Sequence, residues 1–279
     1  MKNDVIAAIQ VHMPFHFLRE KFLTVVLAEQ INPEVAINHR DLDGYPREAF
    51  AEIGKKLQEA GLRITLHAPF LDLRPGAIDP EIRRVTVARI SQTLDQAAFF
   101  RPASIVCHAA FDERYYLSGE QQWLENCIAT FHEFLPKMKA LNCPICIENV
   151  YETEPAMLKR LLDGLNSPYF RFCFDTGHYN VFATAPVLSW IEALSPYLAQ
   201  LHIHDNDGKK DRHLPPGDGN FPFTELFAML RSRNLKPLVT LETHSVENFW
   251  KAVSVLDDAA YFSFAREAVD PSPQGGSKP

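Results

Sequence analysis

The chain is poor in cysteine, glycine and long apolar runs. Its five cysteines in 279 residues, Cys107, Cys127, Cys143, Cys146 and Cys173, are too few and odd in number for a disulfide framework. Cys143 and Cys146 make a CxxC pair, but the pair runs into the apolar Ile145-Cys146-Ile147 of a strand-like segment, which favours buried structural thiols over a redox or zinc pair. The twelve glycines are scattered, with no strand–GxGxxG–helix fingerprint and no Walker-type loop. No stretch of about eighteen apolar residues suggests a membrane span. Met1-Lys2-Asn3-Asp4 leads straight into an apolar run without the regions of a signal peptide, so a cytoplasmic location and no membrane partner are expected. Basic charge is also short: the net charge is -7. Proteins that grip nucleic acid by its phosphates are usually basic, so nucleic acid is disfavoured as a partner, though bound cations would alter the local field.

What is present is a globular composition, 46% hydrophobic and 23% charged, with a regular alternation. Strands are expected at Val5–Val11, Glu34–Asn38, Arg63–His67, Ser104–His108, Pro144–Glu148, Phe170–Asp175, Ala199–His204 and Pro237–Glu242. Several are apolar on both faces, as buried parallel strands are. Amphipathic segments lie between them, including Pro46 to Ala60 (stopped by Gly61), Pro80 to Phe100, Gly119 to Leu141 and Ser245 to Ala268. Such a pattern over most of the chain predicts a single (β/α)8 TIM barrel, residues 1–269, with a flexible tail at 270–279.

The C-terminal ends of barrel strands carry function. Here six expected strands in succession end in a metal-ligand type: His67, His108, Glu148, Asp175, His204 and Glu242. An unpaired polar group is costly to bury behind an apolar run, and one coincidence at a strand end is ordinary, but six are not. His178, three residues past Asp175, and Asp211 and His213, on the loop after the seventh strand, extend the set.

Together these residues resemble the xylose isomerase-like TIM barrel superfamily, and most closely its endonuclease IV (AP endonuclease family 2) branch. The matching segments are His67-Ala68-Pro69-Phe70, Glu148-Asn149, Asp175-Thr176-Gly177-His178, His204-Asp205-Asn206-Asp207, Asp211-Arg212-His213 with Gly217 and Gly219, and Leu241-Glu242-Thr243. The resemblance implies a site for up to three zinc ions, with manganese as a substitute. His67 and His108 would hold the first, and Glu148 would bridge to a second completed by Asp175, His204 and Glu242. His178, Asp211 and His213 would hold the third. Mixed imidazole and carboxylate ligation suits these metals.

That site implies hydrolysis of a phosphoester in a small or sugar-containing substrate. The sugar isomerase and epimerase branch is the alternative. It needs one metal, and Glu148, Asp175, His204 and Glu242 match its pattern equally well, with Glu148 and Glu242 as the catalytic acid and base on a sugar or sugar phosphate. An abasic-site DNA endonuclease is a lesser alternative. Against it stand Ala109-Ala110 after His108, Phe70 in place of a tyrosine, the short loop from His204 to Asp211, and the acidic charge. His12, Arg40, Phe70 and Arg212 are candidate substrate contacts, the arginines because guanidinium binds phosphate through two bonds. His202, two residues before His204 on the same strand face, could orient a ligand. His39, His132 and His244 are assigned no role.

Overall fold

A computed structural model describes residues 2–257. Eight parallel strands close into a barrel in chain order: β1 (Gln10–Pro14), β2 (Asn32–Ala36), β3 (Thr65–His67), β4 (Ile105–His108), β5 (Ile145–Glu148), β6 (Phe170–Asp175), β7 (Leu198–Ile203) and β8 (Leu238–Leu241). β1 pairs with β8 to complete the ring. Helices surround it, and the expected ones are found at Arg47–Glu59, Pro80–Phe100, Glu120–Leu141 and Val246–Leu256. The expected continuation of the last helix beyond residue 257 and the tail at 270–279 lie outside the described residues. No helix among the described residues is long and apolar enough to cross a membrane.

The N-terminus departs from expectation. Lys2–Ala8 is a helix, and β1 starts only at Gln10. Val5, Ile6 and Ile9 are all buried, a spacing that serves a helical face as well as a strand, and a short apolar run cannot separate the two. His12 therefore sits within β1 rather than after it. The second strand also begins and ends two residues earlier than expected, which moves Glu34 to its middle.

Side chains alternate across each strand. One set packs outward against helices, in a core that includes Phe172, Phe174, Leu201, Val239 and Leu241. The other set points into the barrel: His12, Glu34, Thr65, His67, His108, Glu148, Asp175, His202, Thr240 and, just past β8, Glu242. Val106, Cys146, Cys173 and Ala199 form a separate small apolar cluster. All five cysteines are buried free thiols, as the CxxC reading expected, and burial pushes the Cys146 thiol up to about 12.

Candidate functional site

The pleat brings the strand ends together. β4 and β5 are in register, so His108 faces Glu148 across neighbouring strands. His108 Nε2 lies 3.1 Å from Glu148 Oε2, and His67 Nε2 lies 3.3 Å from the same oxygen. His178 Nδ1 is 2.9 Å from the other, Glu148 Oε1. His204 Nε2 is 3.0 Å from Asp175 Oδ2 and 3.9 Å from Glu242 Oε2. Asp211 joins from its loop, 3.0 Å from His213 Nε2, 3.5 Å from His178 Nε2 and 3.5 Å from His204 Nδ1. All nine expected donors thus converge on one end of the barrel.

Small polar residues fasten this end. Asn149 accepts from the Asp175 amide at 2.8 Å and donates to the Asp175 carbonyl at 3.0 Å, tying the end of β5 to that of β6. Thr176 Oγ1 donates to the His204 carbonyl at 2.7 Å and accepts from the His204 amide at 3.2 Å, tying β6 to β7. Asp175 caps the helix that follows it, accepting from the His178 amide at 2.6 Å.

The loop that carries Asp211 and His213 is held by Asp205. Its buried carboxylate accepts from the amides of Asn206, Gly217, Gly219 and Phe221 at 2.8 to 3.1 Å. Its backbone pairs with Leu214 in an antiparallel bridge. A Cβ at Gly219 would come within 2.1 Å of the Asn206 carbonyl, so glycine is required there. His213 itself sits at φ +50, a conformation that side chains other than glycine adopt reluctantly.

Seven of the nine donors line a mouth of about 370 Å³ together with His12, Phe70, Val150, Tyr151, Phe182 and His244, while Asp175 and His204 are fully buried behind it. Phe70 stacks on His108 with ring centroids 4.5 Å apart, and His244 stacks on His213 at 3.9 Å. A second cleft of about 770 Å³ shares His12, His67 and Phe70 with the mouth and is lined further out by Arg40. Arg212 does not line either space. Its half-exposed guanidinium lies 3.4 Å from Asp207. His12, Arg40 and Phe70 are thus placed at or beside the mouth, and Arg212 is on the rim.

Electrostatics follow from burial and crowding. Burial pushes the Glu148 carboxyl up, but the neighbouring His108 and His202 outweigh it and hold Glu148 well below the usual range. Glu242 behaves likewise: burial raises it, and His202 and His12 bring it well down. Burial lowers His12, but Glu242 and Glu34 raise it to about 10. His244 falls to about 4 through burial and the adjacent His213.

Sequence reasoning missed several contributors. Glu34 is fully buried in the barrel, Asp205 organises the loop, and His244 covers His213. Glu34 is the one carboxylate of the expected strand Glu34–Asn38, but its place at the start of that strand hid its burial. Asp205 stood only within the matching segment His204-Asp205-Asn206-Asp207, without its role, and His244 had no signal, because their partners are loop amides and a ring brought near only by folding.

Groups of three side chains, including His67–His108–Glu148 and His204–His213–Glu242, bring nitrogen and oxygen atoms within 4.8 Å of one another, close enough to hold an ion. His204 Nδ1, on a ring of the proposed donor set, is buried without a hydrogen-bond partner. An unbonded buried imidazole nitrogen beside carboxylates is free to meet a metal ion, and an all-nitrogen and oxygen donor set fits zinc or manganese.

The fold and this ring of side chains define a (β/α)8 barrel with a histidine- and carboxylate-rich site at its C-terminal mouth. The chain belongs to the xylose isomerase-like TIM barrel family, whose model matches residues 31–262. An uncharacterised protein of Methanocaldococcus jannaschii, MJ1311, is 24% identical over 215 residues, covering 75% of this chain and 73% of that protein. A protein named probable endonuclease 4 from Symbiobacterium thermophilum is 26% identical over 216 residues, covering 70% of this chain and 76% of that protein. The solved structure of a D-tagatose 3-epimerase-like protein superposes with a TM-score of 0.75 at 21% identity, covering 93% of this chain and 98% of that one.

Proposed function

We propose that this protein hydrolyses a phosphoester in a small or sugar-containing substrate at a multinuclear divalent-metal centre, with zinc as the first candidate metal and manganese as the second. One observation carries this reading. The loop donors Asp211 and His213 join His178 and the strand-end donors in one mouth, with Asp211 3.5 Å from both His178 and His204. A one-ion isomerase needs only Glu148, Asp175, His204 and Glu242, and has no use for a loop built to deliver two more donors. His67, His108 and Glu148 would hold one ion. Glu148, Asp175, His204 and Glu242 would hold the second, and His178, Asp211 and His213 the third. Divalent ions held there would acidify water and offset the charge that gathers on phosphoryl and leaving oxygens. Phe70 and Phe182 line the mouth and would give a bound substrate apolar surface.

Elemental analysis of protein purified without chelators or a histidine tag, joined to a panel of phosphomonoesters and phosphodiesters, tests this. Two or three ions per chain, with turnover lost in Asp211→Ala and His178→Ala, is the expected result. A single ion, unchanged by excess zinc or manganese, sinks it. Abasic duplex DNA belongs on the same panel, where scission with steeply salt-dependent binding would identify a nucleic-acid substrate.

A second reading has its own observation. Glu148 and Glu242 approach His202 Nδ1 to 3.4 and 3.1 Å from two different strand ends. Two carboxylates flanking one buried point suit a metal-dependent sugar or sugar-phosphate isomerase or epimerase, in which they exchange a carbon-bound proton as base and acid. Deuterium from solvent entering a sugar carbon, and lost in Glu148→Gln or Glu242→Gln, would replace the hydrolytic reading. Exchange that survives in both variants would remove the isomerase.

A further inference from the structure

One carboxylate inside the barrel takes no part in the nine-donor set. Glu34, in the middle of β2, has no exposure to solvent and does not line the mouth. Its Oε2 accepts from Thr65 Oγ1 at 3.0 Å, from Thr240 Oγ1 at 3.2 Å and from Gln200 Nε2. Its Oε1 faces two imidazoles, with His202 Nε2 at 3.1 Å and His12 Nδ1 at 3.3 Å. One oxygen of a proposed ligand, Glu242 Oε1, lies 2.9 Å from that same His12 Nδ1, which is shared between the two carboxylates, and 3.1 Å from the opposite nitrogen of the His202 ring, Nδ1. The other oxygen, Glu242 Oε2, is turned to His213 and His204, at 3.6 and 3.9 Å.

A buried carboxylate costs several kcal/mol unless it is fully paired, and an apolar residue of similar size often serves stability as well or better. Val106, Cys146, Cys173 and Ala199 show that this barrel accepts apolar side chains beneath its mouth. A charge at position 34 therefore calls for a reason other than packing.

We propose that Glu34 is a positioning residue that acts through His12 and His202 to hold Glu242, with Oε1 turned inward and Oε2 presented to the mouth. It rests on the reading above in taking Glu242 as part of the reacting centre, and it holds for hydrolysis and isomerisation alike. Carboxylate–imidazole pairs behind a metal ligand fix its orientation, and their loss typically costs about 10- to 100-fold in metal affinity or activity.

Glu34→Gln keeps the size and removes the charge, and Glu34→Asp keeps the charge and shortens the reach. Thr65→Val is the control, because it removes one hydrogen bond to Glu34 without touching either imidazole. The readouts are a crystal structure of each variant, zinc affinity by chelator competition, and kcat and KM separately. In Glu34→Gln, Glu242 is expected to swing from its place. Zinc affinity or kcat should fall by about 10- to 100-fold, with KM little changed. Thr65→Val should lose melting temperature but neither property, and Glu34→Asp should recover part of the loss. A Glu242 that keeps its position in Glu34→Gln, or a loss that only tracks melting temperature across all three variants, overturns the proposal. If the wild-type protein binds no metal and turns over nothing, the hydrolytic reading fails alone, and the crystal structures still decide the role of Glu34.

Discussion

The backbone of Gly177 lies flat against the ring of His204. A Cβ built on Gly177 would stand 1.9 Å from His204 Cε1 and 2.3 Å from its Nδ1. His204 cannot retreat, because it is fully buried and its backbone is held by Thr176. Gly177→Ala is therefore expected to force the ring off Asp175. The overpacking should cost about 1–3 kcal/mol of stability. Metal content and turnover should fall further than that loss explains, since a proposed ligand is displaced directly. Thermal melting and elemental analysis of the variant check this, and a variant with full metal content would show that His204 is not held as described.

That glycine stands inside Asp175-Thr176-Gly177-His178, which was recognisable as a segment without its physical reason being visible. The strand-end donors were legible because each closes an apolar run, and a polar group there needs a partner. The barrel was legible for the same reason, since β3 to β6 end on the first donors and β7 and β8 end one residue before His204 and Glu242. The entry into β1 was not, because Val5 to Ile9 buries equally well as a helix. Glu34 was obscured by the two-residue shift of β2, which turned an expected strand end into a strand centre. Asp205 could not be found from spacing, because a carboxylate that accepts four loop amides leaves no periodic mark.

Asp205→Ala should unhitch the loop while leaving the strand-end donors in place. Four amides lose their acceptor, and buried donors left unsatisfied cost about 1–3 kcal/mol each. The loop will relax and hydrate some of them, so a net loss of about 3 kcal/mol is expected. Asp211 and His213 should then lose their place while His67, His108 and Glu148 keep theirs. Metal content falling by one ion per chain, with a cooperative melt retained, is the expected outcome. An unchanged ion count would detach the loop from the metal site.

The two candidate arginines should separate. Arg40 lines the wide cleft that joins the mouth beside His67 and Phe70, and no ion pair to its guanidinium is found among the described residues. Arg212 faces Asp207 instead. Arg40→Ala should raise KM for substrates that carry a phosphate or carboxylate by about tenfold, in line with the loss of one charge-assisted contact of roughly 1.4 kcal/mol. Arg212→Ala should change it little. Steady-state kinetics on matched neutral and anionic substrates check both, and equal effects on the two substrate types would remove Arg40 from substrate binding.

The His12–Glu34 pair should stabilise the metal-free protein most in mildly acidic solution, for reasons with opposite signs. Burial lowers His12, but the facing Glu242 and Glu34 raise it from 6.5 to about 10. A raised folded-state value gives stability that is complete below 6.5 and is lost as pH climbs toward 10. Burial raises Glu34, but His202 and His12 lower it from 4.5 to about 2. That contribution is complete above 4.5 and is lost as pH falls toward 2. Only between about 4.5 and 6.5 are both in force. Urea unfolding of chelator-treated wild-type and His12→Gln protein across pH 3 to 10 should differ most between about 4.5 and 6.5, with the difference shrinking on the alkaline side. Adding zinc should move the optimum upward, because metal binding requires neutral imidazoles and competes with protons for them. An optimum that stays fixed with and without zinc would mean that His12, Glu34 and Glu242 do not share charge with the proposed metal site.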